Sequence, residues 1–453
     1  MAKPHILFVI EKWAGRNPIY GISNNEHNLV GSLESTGLAT HECFYYDEYY
    51  YLHQKQGDEA LLSLCSERKP DLIFLNWFPW PVDGFNLKLS TIYRLRANLQ
   101  LPIVAIWWDS VWPQVMNMAE CLSSIISFNI VVDSRTAFLH MTKNPEKYLP
   151  LWPPQDTRIY CDCSNQRDID ISFVGNRESY PDRVLGLETI RKSGIPIFES
   201  GGRGKGMLSV KEYASIFMRS KITLNFSKSW GQYAEQRERG GFRKLKNLAL
   251  YQCKGRVFEA TLCGAMLLEQ ENPEISSWFE PMVDYVPFNE KDCVEKIKYY
   301  LLHDNERLKI AKSGWRKATE NYSSTKFWAE IFSRVNLNPK EDNIHISENS
   351  LSLAQSRHFY SFLDLAWLHL KKGDISNIEM SLRYFKHAIH QTPQNLVLLK
   401  KLVFQVLKPE HLDKFILFMK RLNKISCFHV IFSILKKSRK IQQGQGKDLK
   451  FLE

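Results

Sequence analysis

The stretch Lys254-Gly-Arg-Val-Phe-Glu-Ala-Thr-Leu-Cys-Gly-Ala-Met-Leu-Leu-Glu269 is the most informative segment of this chain. A polar, basic turn runs into a helix over Gly255–Cys263, Gly264 closes it, and an apolar strand over Ala265–Gln270 follows. A helix feeding a buried strand belongs to a parallel sheet covered on both faces. A helix N-terminus offers unpaired N–H donors and partial positive charge, which suit a diphosphate. Lys254 and Arg256 add cationic donors at the same place. Glu259, about one turn into the helix, can accept two hydrogen bonds from ribose hydroxyls. A plainer reading has Glu259 favouring the helix dipole and pairing with Arg256.

The same alternation continues on both sides. Upstream, strands are expected at His5–Ile10, Thr40–Tyr46, Leu72–Asn76, Ile103–Trp108 and Ile126–Val132, with helices at Glu26–Ser35, Asp58–Glu67 and Ser90–Leu99. Ser134 caps a further helix reaching His140. Lys143–Asp170, with Pro145, Pro150, Pro153 and Pro154, reads as a linker. A second series follows, with strands Ile169–Val174, Ile195–Glu199, Ile222–Phe226 and one near Tyr285–Phe288. Its helices are Pro181–Lys192, Val210–Arg219, Lys291–His303 and Asn305–Asn321. The expected fold class is α/β: two tandem Rossmann-like domains with a cleft between them, plus an all-α C-terminal domain. The boundaries are 1–164, 165–335, a linker over 336–353, and helices over 354–453.

The chain has 453 residues and a net charge of +11. From Lys400 to Glu453 there are 13 Lys/Arg and 4 Asp/Glu, which leaves +2 on residues 1–399. The body is therefore nearly neutral, and with no recognised motif it argues against nucleic-acid binding. No run approaches the roughly 18 apolar residues of a membrane span, and the run Ile6–Ile10 is too short for a signal-peptide core. Nine scattered cysteines suit a reducing compartment, so a cytoplasmic protein, peripheral at a membrane through its basic tail, is expected. Cys161 and Cys163 lack a second pair at zinc spacing. Ala366, Trp367, Leu370, Gly373, Asp374, Tyr384, Phe385, Ala388, Ile389, Pro393 and Asn395 resemble one tetratricopeptide unit. Lys414–Leu435 reads as an amphipathic closing helix, or one touching anionic lipid.

The central stretch resembles the signature of GT-B glycosyltransferases of the group 1 type. It is most similar to the branch around spore maturation protein CgeB: Arg-x-Phe-Glu-Ala, a Cys-Gly end, Leu-Leu, then Phe279-Glu280-Pro281. Tyr285-Val-Pro-Phe, Asp304-Asn-Glu-Arg307, Ile310-Ala-Lys-Ser-Gly314, Asp170-Ile-Ser-Phe-Val-Gly175, Leu208–Tyr213 and Ser220–Asn225 extend the resemblance over about 165–322. It implies transfer of a sugar from a nucleotide-diphosphate donor to a glycan, lipid or protein acceptor, without a metal. It also implies that Glu259 holds the ribose, and that Lys254, Arg256 and backbone N–H groups near Gly175 and Arg177 hold the diphosphate. Asn225 belongs to the same nucleotide-sugar site. Many retaining members carry a second Glu eight residues before the first, where this chain has Tyr251.

Asp109, directly after an apolar strand, is the candidate general base; His27 is the alternative, with Glu26 and Asp83 behind it. A turn cap beside Ser110 is the plainer role for Asp109. Gly15 and Gly21 flank a loop that lets a ligand approach closely. Aromatic clusters at Asn76–Pro81 and Trp107, Trp108 and Trp112 suit sugar faces, although most such rings serve as core. Ser227–Asn247 reads as a basic lid or a solvated loop, and Asp168-Ile-Asp170 as a chance D-x-D at a strand entry. Two rivals stand beside the transferase: an epimerase on the same fold, and a non-catalytic scaffold acting through its helical tail.

Overall fold

The structure, a computed structural model, describes residues 3–76, 85, 87–111, 113–133, 142, 144–163, 166–177, 181–201, 208–227, 251–335, 346–372, 375–390 and 392. The chain divides into two compact units, Met1–Ala354 and Gln355–Glu453. In the first unit six strands form, most of them apolar runs buried on both faces. They are β1 (His5–Ile10), β2 (Thr40–Tyr45), β3 (Leu72–Leu75), β4 (Ile103–Trp107), β5 (Phe128–Val131) and β6 (Tyr148–Pro150). They form a parallel sheet in the order β2-β1-β3-β4-β5-β6, with Ile6 opposite Leu72 and Val104 opposite Phe128. Its described helices are α1 (Ser32–Thr36), α2 (Tyr46–His53), α3 (Asp58–Arg68), α4 (Leu89–Ala97) and α5 (Pro113–Ser123).

A second parallel sheet joins β7 (Ile169–Val174), β8 (Phe198–Ser200), β9 (Ser220–Asn225), β10 (Met266–Gln270) and β11 (Val286–Phe288) in the order β11-β10-β9-β7-β8. Around it run α6 (Pro181–Lys192), α7 (Val210–Arg219), α8 (Arg256–Leu262), α9 (Pro273–Ser276), α10 (Cys293–Leu302) and α11 (Asp304–Asn321). α7 opens with a capping box between Ser209 and Glu212. α8 closes at Gly264, whose φ of +71° lets the chain turn back into β10. Two tandem Rossmann-like domains of this kind make the GT-B architecture. In each sheet the strand order reverses beside the first strand, between β1 and β3 and between β7 and β9. Ligands of open α/β sheets bind at such switch points, outside the carboxyl ends of the strands.

The two sheets share one apolar cluster, running from Phe8 and Phe74 through Leu151 and Trp152 to Phe258 and Trp328. α12 (Ser324–Arg334) returns the chain to the first sheet. There the Trp328 ring lies 5.7 Å from Phe8 and 5.1 Å from Phe74, and its Nε1 donates to Ser32 Oγ at 3.0 Å. In the second unit the described residues are helical, on α13 (Glu348–Lys372) and α14 (Ile375–His390). Phe362 meets His387 at 4.3 Å, and Ser381 Oγ donates to the Ala366 carbonyl at 2.7 Å.

Several elements differ from the sequence expectation. β6 lies inside the stretch read as a linker; as an edge strand it tolerates Pro150, whose missing N–H faces no partner strand. α2, α5, α9 and α12 were not expected, and the helix over Glu26–Ser35 begins instead as a π-type segment, Glu26–Gly31. α13 starts at Glu348, within the stretch read as the second linker. The expected helix Ser134–His140, Gly373, Asp374, Pro393, Asn395 and Lys414–Leu435 lie outside the described residues. Among the described residues, no helix is long and apolar enough to cross a membrane. Because Trp328 is fully buried against Phe8 and Phe74 of the first sheet, Trp328→Ala should lower unfolding free energy by about 3–5 kcal/mol in a denaturant titration. A loss below about 1 kcal/mol would show that α12 does not anchor on the first sheet through this ring.

Candidate active site

Polar groups that interrupt the apolar strand ends gather at the switch point of the second sheet. Gly175, ending β7, has φ +146°, and a side chain there would strike the Arg256 guanidinium. Arg256, at the start of α8, is buried over the Phe173 ring at 5.2 Å and donates to Asn225 Oδ1 at 2.7 Å. Asn225 Nδ2 in turn donates to Glu269 Oε2 at 2.7 Å and to Ser227 Oγ at 3.0 Å. The Ser227 hydroxyl also donates to the Glu269 carboxylate. Burial pushes the Glu269 carboxyl up to about 8, against the hydrogen bonds from Ser227 and Asn225.

Glu259 sits about one turn further along α8 and is only 7% exposed. Burial raises its carboxyl to about 7, although Arg256 and the Tyr213 hydroxyl both favour the ionised form. Among the described residues its Oε2 has no hydrogen-bond partner, nor do Arg256 Nε and both side-chain polar atoms of Gln155. Leaving such a group buried and unpaired costs about 1–3 kcal/mol.

The carboxyl ends of the first sheet supply the opposing wall. Asp109, following β4, is 53% exposed and takes a left-handed φ of +55°. Gln252 Nε2 donates to Asp109 Oδ1 at 2.9 Å and to Asp133 Oδ2 at 3.0 Å, so one amide from the second domain bridges two carboxylates of the first. Asp133 is buried and held by the Ser110 N–H at 3.0 and 2.8 Å and by the Ser110 hydroxyl. Burial, then repulsion from Asp109, lifts the Asp133 carboxyl to about 6. Lys254 Nζ donates to Gln252 Oε1 and stands 3.9 Å from Asp109.

The switch point of the first sheet holds Glu11. Its buried carboxylate accepts from Ser23 Oγ at 2.9 Å, Asn25 Nδ2 at 2.7 Å and Asn76 Nδ2 at 2.7 Å, and burial raises its pKa. Buried Arg16 lies in the Gly15–Gly21 loop with φ +57°; burial lowers its pKa, against the charges of Glu11 and Asp47.

The structure thus brings Gly175, Asn225, Arg256 and Glu259 into one neighbourhood and sets Lys254 beside Asp109. Arg177 is directed elsewhere: its Nη2 donates to Glu188 of α6 at 2.9 Å. The Gly175 N–H, expected to face a diphosphate, donates to the Ser200 carbonyl at 2.8 Å. His27 lies half-buried on Glu26–Gly31, and among the described residues no hydrogen bond ties it to Asp109 or Glu259. Glu26 accepts from the Tyr45 hydroxyl at 2.6 Å. Asp168 and Asp170 pair with Arg219 at 2.8 Å and Lys221 at 2.6 Å at the entry of β7, away from the carboxyl ends. Asp83, residues 77–81, Trp112 and 228–247 lie outside the described residues.

Sequence reasoning missed Glu11, Asp133, Gln155, Gln252 and Glu269. Glu11, Asp133 and Glu269 share a signal: each is an acidic residue at or just past the end of a continuous apolar strand. A groove of about 660 Å³ lined by Met282, Tyr300, Lys309 and Trp315 shares no residue with this site.

Glu259 makes stability depend on pH in a definite direction. Its native pKa of about 7 exceeds the ordinary 4.5, so its contribution is full below about pH 4.5 and is lost as pH rises through 7. Glu259→Gln should therefore remove on the order of 3 kcal/mol from the stability lost between pH 4 and pH 8. Parallel melting-temperature profiles for the two proteins would show that Glu259 titrates as an ordinary carboxylate.

Comparison with known proteins bears on the second sheet. Residues 159–333 match a family model described as glycosyl transferase-like. No curated protein matches the chain. Among solved structures, Anabaena HepE in complex with UDP-glucose is similar at 14% identity, covering 73% of this chain and 100% of that one, with a TM-score of 0.46. A glycosyltransferase from Rickettsia africae is similar at 10% identity, covering 74% and 98%, with a TM-score of 0.45. AviGT4, involved in avilamycin A biosynthesis, is similar at 9% identity, covering 73% and 96%, with a TM-score of 0.46. Likenesses this distant add nothing to the strand order and the buried groups; the family match is confined to the stretch that carries Arg256 and Glu259.

Proposed function

We propose that this chain is a glycosyltransferase that moves a sugar from a nucleotide-diphosphate donor to a hydroxyl acceptor. The observation that carries the reading is Glu259: a buried carboxylate, one oxygen of which has no partner among the described residues, beside Arg256 near the switch point of the second sheet, within the glycosyl transferase-like stretch. Its unpaired oxygen suits a ribose hydroxyl, whereas a diphosphate would be repelled there. Lys254 is the cation for the diphosphate, with Arg256 adding to the local positive potential. That charge does the work a metal would do, so a chelator should leave transfer unchanged.

Asp109 is the base. It takes the proton of the acceptor hydroxyl as that oxygen bonds to the anomeric carbon, and the bond from that carbon to the diphosphate oxygen breaks. Lys254, 3.9 Å from Asp109, lies close enough to receive the charge of the leaving diphosphate. The site thus needs both sheets: the base comes from the first and the cation from the second. The order of motifs over 165–322 favours the CgeB-like branch, and the helical tail, with one tetratricopeptide-like unit, serves a protein partner or an anionic membrane surface.

A panel of UDP-, GDP-, ADP- and dTDP-sugars should contain one that raises the melting temperature of the full chain. Glu259→Ala should weaken that donor at least about tenfold in calorimetric titration, the loss of about one charged hydrogen bond. Unchanged affinity would sink the ribose assignment. Asp109→Asn should lower transfer by about 10²–10⁴-fold while sparing donor binding. Normal turnover would exclude it as base, and an isomerised donor without transfer would favour an epimerase.

A further inference from the structure

Cys161 and Cys163 stand two residues apart, and the proposed transfer uses neither. The stretch is not helical, and in extended backbone residues two apart face the same way. The two thiols accordingly meet, with their Sγ atoms 3.0 Å apart. Cys163 is exposed and Cys161 partly so, whereas Cys65, Cys121, Cys253, Cys263 and Cys293 are buried and do not compete for a ligand from solvent. A third sulfur completes the cluster: Met218 Sδ, on α7, lies 3.5 Å from Cys163 Sγ. Met218 packs against the apolar core, so its thioether is held in place.

One guanidinium braces the three sulfurs. Asp162, between the two cysteines, accepts from Arg167 Nη2 at 2.7 Å. Nη1 of the same Arg167 donates to the Met218 carbonyl at 3.0 Å and to the Ser220 carbonyl at 2.9 Å. Its Nη2 also donates to the Cys263 carbonyl at 2.9 Å, at the end of α8. The cysteine turn and the Met218 backbone therefore share one support, as the ligands of a metal site do. The cluster lies by the entries of β9 and β10, at the opposite end of the sheet from Arg256.

The donor set decides the ligand. Among the described residues no group of three His, Cys, Asp or Glu could hold a metal, so tetrahedral zinc lacks its ligands here. Two thiolates and a thioether are soft donors, which select copper(I). Metal–sulfur bonds of about 2.3 Å in a trigonal plane set the sulfurs about 4 Å apart, so the cluster must open by about 0.5–1 Å. Rotation of the exposed Cys163 side chain supplies that movement. Burial, then the hydrogen bond with Cys163, pushes the Cys161 thiol up to about 11, so it is protonated at neutral pH and binding releases its proton to solvent. We infer that Cys161, Cys163 and Met218 form a three-sulfur site for copper(I), braced by Arg167 at the amino end of the second sheet. The site stands whether or not the chain transfers sugar, since it shares no residue with the proposed donor site.

The full chain, reduced and kept anaerobic, is titrated against copper(I) held by bicinchoninate, whose colour falls as the protein takes the metal. The parent should take up about one equivalent that the Cys161→Ser, Cys163→Ser double variant does not. Met218→Leu keeps the volume and removes the thioether, so it should keep the stoichiometry and bind at least about tenfold more weakly. X-ray absorption at one equivalent should count three sulfur neighbours on copper in the parent and two in Met218→Leu. Zinc(II) offered with a competing chelator should not be withdrawn by these residues. Equal copper uptake by parent and double variant would overturn the site, because other thiols would then hold the metal. Parental affinity in Met218→Leu would overturn it too, as would zinc(II) bound through the two cysteines more tightly than copper(I). A parent spectrum with nitrogen neighbours, or with only two sulfurs, would overturn it without recourse to any variant.

Discussion

A cation buried at the end of a parallel sheet constrains the rest of this site. Arg256 lies over Phe173, against Gly175, with its guanidinium held by Asn225. Removing a guanidinium from water is unfavourable unless neighbours replace its hydration, and here Asn225 passes the interaction on to Glu269. Gly175 follows from this constraint, since any side chain would occupy the position of the guanidinium. So does the placement of Glu259, because α8 is anchored at its first residue and presents the carboxylate one turn later.

The same logic appears in both sheets. Each switch point gathers a buried carboxylate with amide partners: Glu11 with Asn76 in the first, Glu269 with Asn225 in the second. Burial raises the carboxyl pKa in both, so the hydrogen bonds recover only part of the lost hydration. Such sites are costly for folding and useful for binding. Gln252 then couples the two sheets: one amide touches Asp109 and Asp133, and Lys254 touches the amide. A change in the separation of the sheets would alter the surroundings of three ionisable groups together.

Much of the fold is legible in single residues and their spacing. The apolar runs Ile6–Ile10, Ile103–Trp107 and Met266–Leu268 lie in strands because they are buried on both faces, and Gly264 ends α8 because a left-handed residue is needed there. Elements whose burial depends on a distant partner were not legible. β6 is short and proline-bearing and exists as a strand only beside β5, while α12 becomes buried only when Trp328 reaches Phe8 and Phe74. The site divides in the same way. Arg256 and Glu259 share one helical turn and can be read together, whereas Gln252 and Asp109 are 143 residues apart.

The sequence by itself determined the alternation of apolar strands and amphipathic helices, and with it two parallel sheets whose carboxyl ends collect the polar residues. It also determined the local chemistry of the turn and helix from Lys254 to Glu259, because those groups are neighbours along the chain. Only the tertiary structure decided which carboxylates are buried, which cations are already paired, and that Gln155 and Glu259 both lie beside Gly255. Local propensity acts over a few residues, whereas desolvation and hydrogen-bond satisfaction depend on everything that surrounds a group once the chain has folded.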